Sequence, residues 1–342
     1  MKYILILTFL IISSSNALTK NLFDTDYYEV KFTSDNVENK KINNIKRIKF
    51  LSINKIFDNI LIKEDYNIIN KNLTEDLINT FIQNIVLKDE KIINNNYYSQ
   101  IKINYNKKKI INYLRSNEFD YIEYIPDNFL TIIYEKDYLN SNLFTNKNLH
   151  YNFLLNNRDK YNFYKIPNLD LNDKYIISHI DIENKNFAKL SNFISKYKVD
   201  DALILISDKE SNNENYILNY IDEDNIYEVK KFSFNTNNFS ELFIYIKDEI
   251  INFWKIKNII QNNKLNYISC KIEYFNLLEL KEIKNSLNNV SIIKTITLEN
   301  ISFKSNTYEI IYYGNIDIFS KLLKIEMLNI KIINNLCKIN LI

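Results

Sequence analysis

The spacing of apolar residues predicts helices and strands that alternate along most of the chain. Within residues 39–62, apolar positions such as Ile42 and Ile45 recur at the spacing of one helix face. Residues 97–105 (YYSQIKINY) instead alternate apolar and polar positions, which is typical of a half-buried strand. Residues 201–207 (DALILIS) form an almost continuous apolar run, which indicates a strand buried on both faces. The same criteria predict further helices over 75–87, 108–114, 141–162, 186–197 and 240–257, and strands over 27–32, 129–134 and 175–182.

These elements divide the chain into three regions of mixed α+β and α/β character. Residues 18–126 form a βααβα unit that ends at Pro126, since proline commonly ends an element. Residues 127–258 alternate strands with helices, which favours a layered α/β domain. The sequence therefore predicts a multi-domain protein, with its third domain over residues 263–342.

The third region carries the clearest pattern. A strand over 266–274 precedes a helix capped by Asn276, whose apolar face is expected to contain Leu277, Leu280, Ile283 and Leu287. A strand over 290–303, a strand over 307–313 and a helix over 317–327 follow, and a closing hairpin is expected to turn at Asn334 and Asn335. The order βαββαβ is that of the ferredoxin-like split βαβ plan.

Residues 1–17 have the pattern of a cleavable secretory signal peptide. Lys2 provides the positive n-region, and residues 3–12 (YILILTFLII) form a short apolar core. Small residues at Ser15 and Ala17 predict cleavage between Ala17 and Leu18. An apolar core of this length is too short for a membrane-spanning helix, which needs roughly 20 residues. We therefore expect a periplasmic protein without an integral membrane segment after cleavage.

Charge and composition narrow the classes of partner. The chain has 44 Lys and Arg against 42 Asp and Glu, a net charge of +2, so it has no broad basic field for nucleic acid. Ile, Asn, Lys, Tyr and Phe are abundant while glycine occurs once, as expected from AT-rich codons. The 26 tyrosines and 21 phenylalanines are therefore interpreted as core and strand residues rather than as a stacking surface.

The single glycine, Gly314, argues against several common catalytic motifs. Phosphate-binding loops and the nucleophile elbow need several glycines at fixed spacing. The histidines, His150 and His179, lie in separate segments, and the cysteines form no C-x-x-C motif, which argues against a zinc site. A Ser-His-Asp arrangement stays open, because its members meet only in space. A structural role is favoured for both histidines, and we expect no metal, no cofactor and no enzymatic activity.

Two acidic clusters are interpreted as turns. Asp222, Glu223 and Asp224 lie with Asn225 between two strand-like runs, where Asp and Asn are common turn residues. A calcium loop would require a glycine and more alternating oxygen ligands. The segment around Asp173, which also contains Asp170 and Asn172, follows Pro167 and is predicted to turn. A paired-carboxylate glycosidase stays open on spacing alone.

Cys270 and Cys337 form a candidate disulfide. They lie on the first and last strands of the third region, and export places them in an oxidising compartment. The first and fourth strands of a ferredoxin-like sheet are neighbours, so a bridge between the two cysteines is a hypothesis. Two buried free thiols are the alternative, since the extra C-terminal hairpin could place Cys337 one strand too far out.

An ordered set of segments resembles a known bacterial family. The segments are YYEVKF with NNIKRIKFLSINKIFDNIL, NYNKKKIINYL, FLTIIYE, IPNLDLNDKY, SNFISKYKVDDALILIS and VSIIKTITLENISFKSNTYEIIYYGNIDIFSKLL, the last containing Gly314 before the final helix. In these the chain is similar to the exported family called domain of unknown function 2066. The resemblance implies export and this domain order, and it brings no functional residues.

The leading hypothesis is a non-catalytic periplasmic protein that binds or assembles other envelope proteins. Ferredoxin-like and related sheets often offer an edge strand or a helix face to partners, and residues 307–313 are the segment of interest. A carrier or sensor of lipid or another small apolar ligand is the first alternative, and it requires a concave apolar pocket. A hydrolase with dispersed carboxylates or His179 is the second, and it requires carboxylates that converge in a cleft.

Overall fold

The computed structural model describes residues 22–137, 140–210, 213–234, 238–333 and 336–342. These residues form three β-sheets and eleven helices, a mixed α and β architecture. The expected signal peptide, with its cleavage point between Ala17 and Leu18, lies outside the described residues, as does the turn expected at Asn334 and Asn335. Across the ranges just given, no helix has both the length and the apolar character that crossing a membrane requires.

The chain separates into two compact units. The middle unit contains Pro126–Phe243, and the two-segment unit combines Asn21–Ile125 with Ile244–Ile342. The first boundary lies at the proline that ends the first predicted region. The second boundary falls inside a helix, and the first and last predicted regions belong to one unit.

The first sheet has three antiparallel strands in the order β1-β3-β2. Its elements are β1 (Tyr28–Thr33), α1 (Val37–Ile60), α2 (Lys63–Asn72), α3 (Glu75–Phe81), β2 (Ile82–Ile93), β3 (Asn96–Tyr105) and α4 (Lys107–Ser116). The expected long helix and the alternating strand are confirmed as α1 and β3, and the Ser52 hydroxyl lies 2.9 Å from the Tyr105 hydroxyl between them.

The first region departs from the predicted βααβα order, because it is βαααββα. The helix expected over 75–87 ends at Phe81. From Ile82 onward the chain instead pairs with β3, where Ile85 lies opposite Ile103 and Leu87 opposite Ile101. Apolar residues spaced for a helix face also suit this strand, and pairing with a distant segment decides between the two.

The middle sheet has six strands in the order β5-β4-β7-β8-β9, with β6 also beside β4. Strands β4, β6 and β7 are mutually parallel, whereas β7, β8 and β9 are antiparallel. Its elements are β4 (Phe129–Asp137), β5 (Asn140–Leu143), α5 (Leu149–Asn156), β6 (Tyr164–Lys165), α6 (Leu171–Ile176), α7 (His179–Glu183), α8 (Phe187–Lys196), β7 (Ala202–Glu210), β8 (Asn213–Ile221) and β9 (Ile226–Phe234).

Helices cover both faces of this sheet. On one face, α5 brings His150 against Tyr216 of β8. On the other, the Tyr134 hydroxyl of β4 donates to Glu183 of α7 over 3.1 Å. The predicted burial of β7 on both faces is confirmed, because residues 202–205 are all buried.

Two expectations for the middle region are wrong. The strand expected over 175–182 is instead the end of α6 and most of α7, since Asp170 and Ser178 each cap a short helix. At α7 the capping box is complete: the Ser178 side chain accepts from the Asp181 N–H, and the Asp181 side chain accepts from the Ser178 N–H. The helix expected over 141–162 contains only α5, which starts at its cap Asn148.

Helix α9 (Phe239–Lys257) is confirmed where the pattern predicted it and carries the boundary between the two units. Inside the two-segment unit, the Trp254 indole donates to the Tyr124 carbonyl over 3.2 Å. The buried Lys255 ammonium donates to the carbonyls of Asp58 and Leu61, at the C-terminal end of α1. This cation satisfies carbonyls that the helix itself leaves unpaired.

The last sheet has five strands in the order β11-β12-β10-β14-β13. Its elements are β10 (Leu265–Glu273), α10 (Leu277–Asn289), β11 (Ile293–Ser302), β12 (Ser305–Tyr313), α11 (Ile316–Ile325), β13 (Leu328–Ile333) and β14 (Leu336–Leu341). The order is βαββαββ, and it differs from the expected four-stranded plan because β14 lies between the first and the fourth strands, parallel to β10.

Gly314 joins β12 to α11 with a φ of +82°. That backbone conformation is one which residues with a Cβ rarely adopt. The Gly314 N–H donates to the Lys264 carbonyl over 3.0 Å, so the turn also holds the start of β10.

Candidate functional site

A cluster of solvent-facing apolar side chains lies at one end of the five-stranded sheet. Phe275 is 82% exposed and Phe303 is 90% exposed, which is unusual for phenylalanine. Leu277, Leu278 and Ile301 beside them are also largely exposed. We call these five residues the apolar tip.

Local structure brings the two halves of the apolar tip together. Glu273 of β10 pairs with Ser305 of β12, and the Tyr274 N–H donates to the Lys304 carbonyl over 3.1 Å. Phe275 follows on one side and Phe303 precedes on the other. Asn276 then starts α10 by accepting from the Leu278 and Glu279 N–H groups, so Leu277 occupies the first turn.

The sequence predicted Leu277 on the buried face of this helix, and that prediction is wrong. Ile283 and Leu287 are buried as expected, whereas Leu277 is 74% exposed. The first turn of α10 extends past the end of the sheet, because β10 ends at Glu273, so nothing in the described structure covers it. The apolar tip is thus a consequence of where the sheet stops.

The free edge beside the apolar tip is β11, not the segment singled out from the sequence. Residues 307–313 lie in β12, between β11 and β10, so both sides of that strand are already paired. Strand β11 has a partner on one side only among the described residues. Its regular run pairs Thr295–Leu298 with β12 between two irregularities. The donors and acceptors on its outer side are available to another strand.

The disulfide of Cys270 and Cys337 lies within the same sheet. The two residues face each other in the parallel pairing of β10 and β14, their Cα atoms are 4.5 Å apart, and their sulfur atoms are bonded. This separation lies within the usual range for a bridge. Cys337 is not displaced to the outer strand, because β13 occupies that place and β14 lies against β10.

A groove of about 740 Å³ opens in the middle unit, on the face of the sheet that carries α7. Its lining includes apolar, polar and charged residues: Lys136, Ile182, Glu183, Lys185, Ile206, Asp208, Asn215, Tyr216, Ile217, Asn219, Glu228, Lys231, Phe232 and Ser233. The volume is that of a small-molecule site.

Asn219 is the distinctive residue of this groove. It is 2% exposed although it lines the groove, which places it at the base. Its side-chain oxygen has no hydrogen-bond partner within the described part of the chain. An unsatisfied buried acceptor costs about 1–3 kcal/mol. Glu228 lies opposite Asn219 on β9, and its carboxylate has no donor for this oxygen.

Charges at the rim of the groove are balanced, and most of them form ion pairs. Lys136 lies 3.8 Å from Glu183, while Lys185 and Lys231 lie 3.5 Å and 3.2 Å from Glu228. The Lys231 ammonium beside Glu228 lowers the pKa of that carboxyl. With Asp208, the lining holds three lysines against three carboxylates, so it has no net charge.

On the opposite face of the same sheet, His150 forms a buried polar cluster. Its Nδ1 lies 2.5 Å from a Glu135 oxygen that also accepts the His150 backbone N–H, and its Nε2 lies 3.0 Å from the Tyr216 hydroxyl. Glu214 is 3.8 Å from the same Nε2. Burial raises the pKa of Tyr216, which keeps its phenol protonated and able to donate. The histidine is thereby held in a fixed orientation.

The geometry of this cluster is not that of an activated serine. Ser207 lies between Glu135 and Tyr216 in the strand register, but its hydroxyl has no partner within the described ranges. Tyr216 occupies the position at Nε2 from which a nucleophilic serine would donate. Neither Glu135 nor His150 lines the groove described above.

The other residues singled out from the sequence have structural contacts. His179 is the first residue of α7, beside the Tyr134 ring. Asp222 is confirmed as a turn residue, since it accepts from the Asp224 and Asn225 N–H groups. The turn expected around Asp173 is instead α6, and the buried Asp173 carboxylate accepts from Lys196 and Tyr197.

Sequence reasoning did not identify the apolar tip, Asn219 or the partners of His150. Alternation in NENYILNYI places Glu214 and Tyr216 on one strand face, which is the only local signal for that cluster. Glu135 is 15 residues from His150, and only the fold brings them together.

Comparisons with known proteins add no relative. No family model, no curated protein and no solved structure matches the chain.

Proposed function

We propose that this chain is an exported, non-catalytic protein that binds other proteins of the bacterial envelope through the apolar tip. The observation that carries the proposal is the exposure of five adjacent large apolar side chains at one end of a sheet. Exposed apolar patches are characteristic of interaction sites, and aromatic residues often dominate their binding energy.

The edge strand beside the apolar tip favours a protein partner over a lipid surface. A lipid surface could cover Phe275 and Phe303, but it offers no regular row of donors and acceptors to β11. An extended polypeptide can pair with the outer side of Thr295–Leu298 while its own apolar side chains pack on the tip. The partner is therefore a protein with an exposed, extended apolar segment.

Export, periplasmic location and family membership support this function and are part of the proposal. The n-region, apolar core and small residues before Leu18 support cleavage and release. The ordered segments that resemble domain of unknown function 2066 support membership of an exported family as part of the proposal. We also interpret the last sheet as a ferredoxin-like arrangement extended by β14, a type of sheet that presents edges to partners.

A photo-crosslinking residue in place of Phe303 tests the proposal in cells, with proteins and lipids both identified. The matched control places it at Tyr267, which is 79% exposed on the same sheet but near the other end of β10. We expect a reproducible set of envelope proteins from position 303 and not from position 267. In unmodified protein, the double change Phe275→Ser and Phe303→Ser should weaken capture of that set about tenfold or more, whereas Tyr267→Ser should not.

Three outcomes would contradict the proposal. Equal capture by the double variant would show that the partner binds elsewhere. Crosslinking of lipid but of no protein at position 303 would favour the function of a lipid carrier. An empty capture from both positions would make a search for enzymatic activity the next step, beginning with the residues around His150.

A further inference from the structure

We propose that the groove of the middle unit binds a small, uncharged or zwitterionic molecule with an apolar body and an N–H or O–H donor. The donor would bond to the side-chain oxygen of Asn219. This site is separate from the apolar tip, so the proposal does not depend on the protein-binding function.

The base of the groove selects for a donor. Asn219 is buried at this base and its oxygen accepts no hydrogen bond from the described residues. Its neighbours in register are Ile204 on β7 and Glu228 on β9, and neither an isoleucine nor a carboxylate side chain has a donor for the amide oxygen. A ligand with an N–H or O–H donor can form the hydrogen bond that the folded protein does not supply to this oxygen. An apolar ligand without a donor cannot form it.

The walls select for an apolar body. Ile206 and Ile217 lie side by side on β7 and β8, and Ile182 of α7 faces them across the groove. These three isoleucines supply an apolar lining beside Asn219. Burial of apolar surface against them supplies the binding free energy, and the single amide fixes orientation.

The rim argues against ions as ligands. Three lysines and three carboxylates line the groove, and the pairs Lys136–Glu183 and Lys185–Glu228 already neutralise one another. A phosphate or a polyamine would have to break these pairs without a compensating surplus of opposite charge. A neutral ligand leaves them intact, and a zwitterion can lie along both signs.

The neutral dye N-phenyl-1-naphthylamine is a suitable probe, because it has one N–H donor on an apolar body. Its fluorescence should rise saturably with the full-length protein. The N-methyl derivative, which lacks the donor, should bind about tenfold more weakly. The change Asn219→Leu should remove this difference between the two dyes. The matched control is Ser207→Ala, which alters an unpartnered buried hydroxyl on the opposite face and should preserve the difference.

A second variant keeps the test decisive if Asn219→Leu does not fold. Ile217→Trp fills the groove without altering Asn219, and it should abolish the binding of both dyes. Binding that survives this change, a dye difference that survives Asn219→Leu, or no saturable binding to the wild-type protein would each overturn the proposal. Tighter binding of the anionic dye anilinonaphthalene sulfonate than of the neutral dye would show that the groove prefers an anion. This result would overturn the proposal that the ligand is uncharged or zwitterionic.

Discussion

At the scale of single residues, polar side chains hold the short helices of the middle unit. Asp181 accepts from the Ser178 hydroxyl over 2.6 Å and from its backbone N–H over 2.9 Å, and lies 3.0 Å from the Lys189 ammonium. These partners stabilise the charged carboxylate and lower the pKa of Asp181 from 3.8 to about 2, the Ser178 hydroxyl contributing most. One carboxylate thus fixes the start of α7, a wall of the groove.

The charge state of Asp181 predicts an acid-dependent stability. Because its pKa is lower in the folded state, the carboxylate stabilises the protein above about pH 4, and this contribution is lost as the pH falls toward about 2. We expect Asp181→Asn to cost about 1 kcal/mol at neutral pH. It should also flatten the fall in unfolding free energy between those two pH values in chemical denaturation.

The control for this prediction is Asp224→Asn, in an exposed turn of the same unit. It should leave both the stability and its acid dependence close to those of the wild type. An Asp181→Asn protein with an unchanged acid profile would show that the capping box does not carry the effect.

At the scale of elements, the position at which a sheet ends determines which residues of the neighbouring helix are buried. Helix α10 has the amphipathic spacing of a core helix, yet its first turn lies past the last pair of β10 and β12. The same apolar pattern therefore includes two buried residues, Ile283 and Leu287, and two exposed residues, Leu277 and Leu278.

This difference predicts opposite outcomes for two leucines of one helix. Leu287→Ala empties a fully buried position and should cost about 2–5 kcal/mol of unfolding free energy. Leu277→Ala should change it by less than about 0.5 kcal/mol, because the side chain is already in water. Equilibrium denaturation of both variants measures this, and similar losses would mean that the first turn of α10 is covered.

The bridge between β10 and β14 predicts a thiol count and a stability loss. The purified protein, denatured without reductant, should contain no free thiol, and two free thiols would disprove the bridge. The bond closes a segment with a sequence separation of 67. In the chain-entropy treatment, the double change Cys270→Ala and Cys337→Ala should therefore cost about 4 kcal/mol. Denaturation of the oxidised wild type against the double variant provides the measurement.

At the scale of the whole molecule, the proposed export route gives the most direct test. The exported protein should have the intact mass of a chain that begins at Leu18. Ala17→Leu places a large residue where signal peptidase requires a small one and should leave the leader attached. Asn16→Gln alters the neighbouring position, which is not read, and should be processed normally. A wild-type protein that keeps Met1 in the membrane fraction would instead indicate an anchor.

The sequence alone determined the features that arise within one short stretch of chain. The helix α1, the Asn276 cap and the Asp222 turn follow from local spacing and from side chains that bond to their own backbone. The single glycine likewise argues against glycine-rich motifs without any knowledge of the fold.

Only the tertiary structure decided the sites. Pairing with β3 made Ile82–Ile93 a strand, and the insertion of β14 beside β10 placed the two cysteines opposite each other. The exposure of Leu277 depends on where β10 ends, and the Asn219 oxygen lies between register neighbours, Ile204 and Glu228, whose side chains have no donor. Local periodicity reports which residues share a face, but burial and hydrogen bonding depend on what distant parts of the chain place against that face.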